Sequence, residues 1–377
     1  MCTRNRIVLA LFVGCWIVSA QPPATEARSS LKVDFPKDSP VAVVGFDMGD
    51  SVTTTRGSAI VIDLRTLLTL RNAGSRRLRG VTLLVSTQES AVGGRASVSV
   101  PSLNVEPGGT FPVRINLRLL RPLAPAGPLV TVTLDGALFE DLSFFGPNLL
   151  NSRRSMMVWE LEAQRDRRYF KSVLSASGPE VLREKLLESL ARQAARPRLD
   201  VQVTRGRATN IDAARTVQFA FLGPAGAPVE PVAGSAMVSG GEARATSLEV
   251  INRSKRTVRY FEVGLILRDD TGREYLAGSV PASDPDLNLA PGARTRVTQD
   301  STLRFMAAGG RPLAIAGLTG YVSQVEFADG SIWIPDRRAL ADPRLAEVVT
   351  PSPEEQRLAD LYRRKGLQAV IDELSKF

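Results

Sequence analysis

The chain has 377 residues, 48 Lys and Arg against 39 Asp and Glu, a formal net charge of +9, two cysteines and no histidine. With 44% hydrophobic and 23% charged residues it has the composition of a folded globular protein, and its length suits two or three domains. The missing histidine excludes Ser-His-Asp and Cys-His nucleophile systems, histidine zinc sites and the commonest general base near neutral pH.

Arg4 and Arg6 precede an apolar run from Ile7 to Val18, and small residues lead up to Ala20. This pattern predicts a signal peptide over residues 1–20, cut after Ala20. The run is shorter than the roughly 20 residues that span a bilayer, and no later segment qualifies, so no transmembrane span is expected. Phe12-Val13-Gly14-Cys15 resembles a bacterial lipobox, which gives the alternative of a lipid anchor at Cys15 and a lipoprotein. The expected location is periplasmic or secreted. Cys2 and Cys15 both fall in the leader, so the mature chain relies on its core and not on disulfides. Residues 21–30 are small and polar, a linker composition.

From Leu31 onward come short β-type runs: Val41 to Phe46, Ala59 to Asp63, Leu67 to Arg71, Leu78 to Ser86, Ala96 to Val100, Phe111 to Leu119 and Val130 to Leu134. Turn formers separate them at Gly49-Asp50, Asn72 to Gly74, Gly93-Gly94, Pro107 to Gly109 and Asp135-Gly136, a spacing that suits an antiparallel sandwich. From Met156 to Leu174 the period becomes helical, with Trp159, Ala163, Phe170 and Val173 in register. Ser177-Gly-Pro-Glu180 reads as a capping box that opens a second helix with the stripe Leu182, Leu186, Leu190, and Pro197 ends it.

The second half repeats this plan. Residues 68–85 and 248–265 both read strand, polar turn, strand, with Asn72 and Asn252 at the same place in the turn. Phe139-Glu-Asp141 aligns with Phe327-Ala-Asp329 at an offset of 188, and the same offset maps Phe170, Leu182 and Leu186 onto Leu358, Val370 and Leu374. Ser352-Pro-Glu-Glu355 is a further capping box, and Gly366 divides the tail as Gly178 divides the first helical segment. The expected fold is mainly β with α: two tandem immunoglobulin-like antiparallel β-sandwiches, each followed by a short helical pair. The expected domains are a β-sandwich at 31–150, a helical pair at 151–196, a second β-sandwich at 197–340 and a C-terminal helical segment at 341–377. Each repeat, roughly 31–196 and 199–377, is expected to fold on its own core.

Few residues suggest chemistry. Asp284-Pro-Asp-Leu-Asn288 resembles the opening of a calcium loop but lacks the later Gly and Glu, so an Asp-Pro loop is the simpler reading and no metal or cofactor is expected. Carboxylate pairs are the main catalytic arrangement left, and Glu326 with Asp329 is one such pair, although Asp329-Gly330 reads more simply as a hairpin turn. Trp333 alternates with Ile332 and Ile334; it could stack on a sugar or lie beneath the helical pair. Basic stretches, among them Arg253, Lys255, Arg256 and Arg259, point either to an anionic partner or to a solvated surface.

The Asn-turn strands and the Pro107-Gly108 and Pro291-Gly292 turns resemble bacterial immunoglobulin-like domains of the CARDB kind over roughly 58–147 and 235–335. The resemblance implies an adhesion, spacing or binding role in the cell envelope. The expected function is an exported, non-catalytic binding or scaffold protein, not an enzyme, whose partner is an envelope protein or anionic glycan and not nucleic acid. The alternative is a carbohydrate-binding or carbohydrate-active protein that uses Glu326, Asp329 and Trp333.

Overall fold

The structure, a computed structural model, describes residues 31–377 except 57–58, 87–94, 123–129, 198, 206–213, 224–225, 282–286, 300 and 308–309. The leader, the linker, the turn at Gly93-Gly94 and Asp284 to Asp286 therefore lie outside the described residues. The described chain is mainly β with a minority of helix.

The first half carries β1 (Leu31–Asp34), β2 (Val41–Asp47), β3 (Val52–Arg56), β4 (Ala59–Asn72), β5 (Leu78–Ser86), β6 (Arg95–Val100), β7 (Thr110–Pro122), β8 (Val130–Phe139) and β9 (Phe144–Phe145). Helix α1 (Ser152–Ala195) follows. The second half carries β10 (Leu199–Arg205), β11 (Arg215–Leu222), β12 (Val229–Ser239), β13 (Glu242–Asn252), β14 (Val258–Asp269), β15 (Glu274–Pro281), β16 (Arg294–Gln299), β17 (Ser301–Ala307), β18 (Ile315–Phe327) and β19 (Ile332–Trp333). A 3₁₀ turn at Ala339–Ala341 then leads to α2 (Pro343–Val348), α3 (Pro353–Lys365) and α4 (Leu367–Leu374). One sheet runs β1-β8-β5-β6 with β9 on β8; a second runs β2-β4-β3 with β7 on β4; a ten-stranded sheet runs β10-β17-β13-β12-β11-β18-β14-β15, with β16 on β13 and β19 on β18.

Two compact units emerge, one from the chain up to Gly74 with Leu83–Val98 and Gly108–Leu134, the other from Ser75–Thr82, Ser99–Pro107 and Asp135–Phe377. In the first, β4 is a single long strand where the sequence suggested two. Thr66 interrupts its apolar pattern, is only 3% exposed, and donates its hydroxyl to the Asp47 carbonyl at 2.5 Å, which satisfies a polar group inside the strand. The facing strand β7 alternates as expected: Phe111, Val113 and Ile115 are buried and Arg114 and Asn116 exposed. Asn72 closes the end of β4, donating from its backbone N–H to the Gly109 carbonyl (2.9 Å) and accepting from Gly108 N–H (2.8 Å).

In the second unit, β11 changes partner midway: Arg215–Gln218 runs antiparallel to β12, then Phe219–Leu222 runs parallel to β18. Its parallel register, Phe219 with Leu318, lies 188 residues beyond that of β1 with β8, Leu31 with Val130. Asn252 makes the bonds that Asn72 makes, to Ala293 O (3.0 Å) and from Gly292 N–H (2.9 Å). The core between these strands gathers Val250, Phe261, Val263, Phe305, Val322 and Val325.

The turn expected at Asp135-Gly136 does not form, because β8 runs through it to Phe139. Gly136 serves instead as a bare stretch of strand: a Cβ there would lie 2.3 Å from the Phe144 ring, so glycine admits the aromatic side chain. The outer face of this region is covered by α1, whose Met156 and Met157 pack with Leu138, Trp159 and Ile332. Helix α2 covers the corresponding face of β14 and β18, where Leu345 and Val348 meet Ile266 and Tyr321.

Helix α1 breaks at Gly178 (φ 82°, ψ 177°), and the α3–α4 corner at Gly366 has nearly the same angles (φ 82°, ψ 179°). Gly178 itself takes the N-cap place that the sequence assigned to Ser177, whereas Ser352 caps α3 as its spacing predicts, its hydroxyl accepting from Glu355 N–H at 3.1 Å. Phe170, Leu182 and Leu186 from the first helical segment pack with Leu358, Val370 and Leu374 from the tail in a single cluster. The helices of the two halves thus share one core, where the sequence suggested a separate core for each. Among the described residues no helix is long and apolar enough to cross a membrane.

Candidate functional site

The basic turn 252–257 is built on Asn252, which is fully buried yet satisfied: its side-chain amide donates to Arg256 O (2.7 Å) and Leu289 O (2.9 Å), and its carbonyl accepts from Ser254 N–H (2.9 Å). Of the residues singled out by sequence, Arg253 is ion-paired with Glu230. Arg256 is bound to Asp329 and the Ser331 hydroxyl, with its guanidinium 3.8 Å over the Phe327 ring. Lys255 and Arg259 are exposed and form no ion pair among the described residues. Trp333 is half-buried, packed against the core of the ten-stranded sheet. Arg256 therefore meets the β18–β19 hairpin that carries Trp333, while the other three basic side chains do not converge on it.

The same clamp occurs in the first half. Arg76 binds Asp141 at 2.9 Å and the Ser143 hydroxyl at 2.5 Å, with its guanidinium 4.8 Å over Phe139. Ser143 and Arg76 hold the Asp141 carboxyl down to about 2, and the Ser331 N–H with Arg256 does the same for Asp329. Glu326 is buried between Arg154 (2.5 Å) and Arg153 (3.4 Å), and Arg154 stacks 3.6 Å over Tyr260. Each carboxylate of the proposed Glu326/Asp329 pair thus has its own arginine partner.

A larger assembly of charge lies among the helices. Glu160, 2% exposed, accepts from Arg167 at 2.6 Å and faces Arg79 at 3.8 Å; Arg79 in turn donates to Asn104 at 2.8 Å. Arg167 also reaches Glu354 (3.4 Å), which Arg357 grips through two bonds of 2.8 Å. Asp166, with no exposed surface, is held by Arg165 (2.8 Å), Arg337 (2.9 Å) and the Ser352 hydroxyl (2.5 Å), and Glu355 joins Arg192 (2.7 Å) to Arg337 (2.6 Å). Burial pushes the Glu160 carboxyl up, against the pull of Arg167 and Arg79, and burial lowers the Arg79 guanidinium. A cavity of about 210 Å³ beside this network is lined by Arg165, Lys185, Arg192 and Arg337, whose charges are met by Asp166, Glu188 and Glu355. Such a balanced network fixes packing geometry and leaves little charge for a ligand.

The sequence shows Glu160 and Glu162 as acids shortly before Arg165 to Arg168, but not the buried network they join. Glu160 and Arg167 are seven residues apart, two helical turns, which is the one signal that they share a face. Nothing in the spacing distinguishes a buried pair from a solvated one. Among the described residues no group of three or more Asp or Glu side chains could hold a metal ion.

No family model matches the chain, and no curated protein matches it. Among solved structures it is similar to pT26-6p, at 10% identity over 93% of this chain and 74% of that one, with a TM-score of 0.17. It is also similar to a beta-glucosidase from Kluyveromyces marxianus, at 9% identity over 71% of this chain and 45% of that one, TM-score 0.16. A third similarity is to red sea bream transglutaminase, at 9% identity over 80% and 32% of the two chains, TM-score 0.12. The chain spans less than half the length of the glucosidase and of the transglutaminase.

Proposed function

We propose that the chain is an exported, non-catalytic binding or scaffold protein of the bacterial envelope. In this reading it consists of two copies of an immunoglobulin-like sandwich with a helical pair, joined through their helices. The observation that carries the proposal is the doubled clamp, Arg76–Asp141–Ser143 and Arg256–Asp329–Ser331. A carboxylate used in the same way in both halves closes a hairpin, and Asp329, the best-placed candidate for carbohydrate chemistry, is one of the two. The parallel edge strands at an offset of 188, the paired Asn72 and Asn252 turns and the two glycine corners support the duplication.

The purified mature chain is expected to be retained on immobilised envelope material and to release no reducing ends from isolated envelope glycan. Glu326→Gln combined with Asp329→Asn should leave retention intact while lowering stability, chiefly because buried Glu326 loses charged hydrogen bonds worth roughly 1.5–3 kcal/mol each. Release of reducing ends that the double substitution abolishes would establish the carbohydrate-active alternative instead.

A further inference from the structure

A second cavity, about 700 Å³, opens where the C-terminal end of α1, the β14–β15 hairpin and α2 come together, and its charge is not balanced. Arg192 reaches it from α1 and Arg196 from just past its end, Arg268 and Arg273 flank the hairpin turn, and Arg344 comes from α2; the carboxylates on its wall are Glu274 and Glu347. With Arg192 already met by Glu355, the other four arginines against two carboxylates leave two positive charges in surplus.

The partners of these arginines show where that surplus is free. Arg344 is committed to Glu274 through two bonds (2.6 and 3.2 Å) and to the Thr319 hydroxyl (3.0 Å), and Arg192 to Glu355 (2.7 Å). Among the described residues the Arg196 side chain is bonded only to the uncharged hydroxyl of Thr350. Arg268 and Arg273 are exposed and form no ion pair among the described residues; Arg273 lies 5.6 Å from the Tyr275 ring. The turn that carries them is closed through Asp269. Asp269, 4% exposed, accepts from Thr271 N–H (3.0 Å) and hydroxyl (2.7 Å), from Arg273 N–H (2.9 Å) and from the Tyr275 hydroxyl (3.1 Å). Its own charge is thus consumed in the turn and neutralises neither guanidinium.

We propose that this cavity binds a multiply charged phosphate ester. Planar guanidinium groups match phosphate oxygens two at a time, and a phosphate group concentrates close to two negative charges where a carboxylate or sulfate ester carries one. The volume falls in the range of small-ligand pockets, roughly 300–1,000 Å³. The site is separate from the clamps on which the envelope-binding proposal rests, so the two stand or fall independently.

Calorimetric titration of the full mature chain with inorganic tripolyphosphate should show one site per chain, with citrate, a tricarboxylate of somewhat lower charge, binding more than about tenfold more weakly. Arg268→Ala with Arg273→Ala should weaken tripolyphosphate at least about tenfold at an unchanged melting temperature, and Arg268→Lys with Arg273→Lys should fall between, because charge is kept and the fork is lost. Arg253→Ala with Arg259→Ala, elsewhere on the surface, should change affinity less than about twofold. Sedimentation with vesicles containing phosphatidic acid, a phosphomonoester lipid, competed by tripolyphosphate and lost in the Arg268/Arg273 variant, would place the phosphate on a lipid headgroup; titration without sedimentation would place it on a soluble ester. Equal binding of citrate, or equal losses in the two alanine pairs, would overturn the proposal in favour of a diffuse basic surface.

Discussion

Glu162 lies half-buried on α1, near Arg165, Asp166 and Arg337, and burial raises its carboxyl from 4.5 to about 7. An acid whose folded value lies above its unfolded value binds its proton more tightly in the folded state. Its contribution is therefore most favourable below pH 4.5 and is lost as the pH rises through about 7. Glu162→Gln is expected to flatten that decline and to stabilise the chain at pH 8 by on the order of 3 kcal/mol. Urea unfolding across this range reads it, and parallel parent and variant curves would contradict it. Asp141 and Asp329, held near 2, titrate well below this window and do not confuse the measurement.

Among the elements, the two glycine corners combine an unusual backbone with empty surroundings. At Gly178 and Gly366 a Cβ would meet nothing within 4 Å, so alanine there encounters no clash, only a φ/ψ region that other residues avoid. Gly178→Ala and Gly366→Ala should each destabilise by roughly 1–3 kcal/mol in chemical denaturation, with similar losses at the two sites. A loss at one corner and none at the other would mean that the two bends are maintained differently. Both glycines were legible in the sequence as dividers of helical stripes, as were the alternation of β7 and the capping role of Ser352. Strands β1 and β3 were not, because four or five residues give too few alternations to rise above a loop. Gly136 was misread as a turn since its reason, the Phe144 ring, comes from eight residues further along. Periodicity marked Phe170 and Leu358 as apolar-face residues, but it carries no information on what covers that face.

For the whole molecule, the covering element is the other half of the chain. Ending the chain after Pro351 would remove Leu358, Val370 and Leu374 and return Phe170, Leu182 and Leu186 to water, at roughly 1.5–3 kcal/mol for each side chain. It would also strip Arg167, Arg192 and Arg337 of Glu354 and Glu355. Far-UV circular dichroism should show loss of helix, and an apolar dye should bind the truncated chain but not the full one; a truncated chain that melts like the parent would show that α1 is stable alone. The shared core also sets an order in time. Phe170, Leu182 and Leu186 are made well before Leu358, Val370 and Leu374, so α1 cannot complete its packing until Leu374 has been added. Such long-range closure is slow and leaves apolar surface uncovered in the interval. Until then the apolar face of α1 is open to a chaperone or to the same face of another chain.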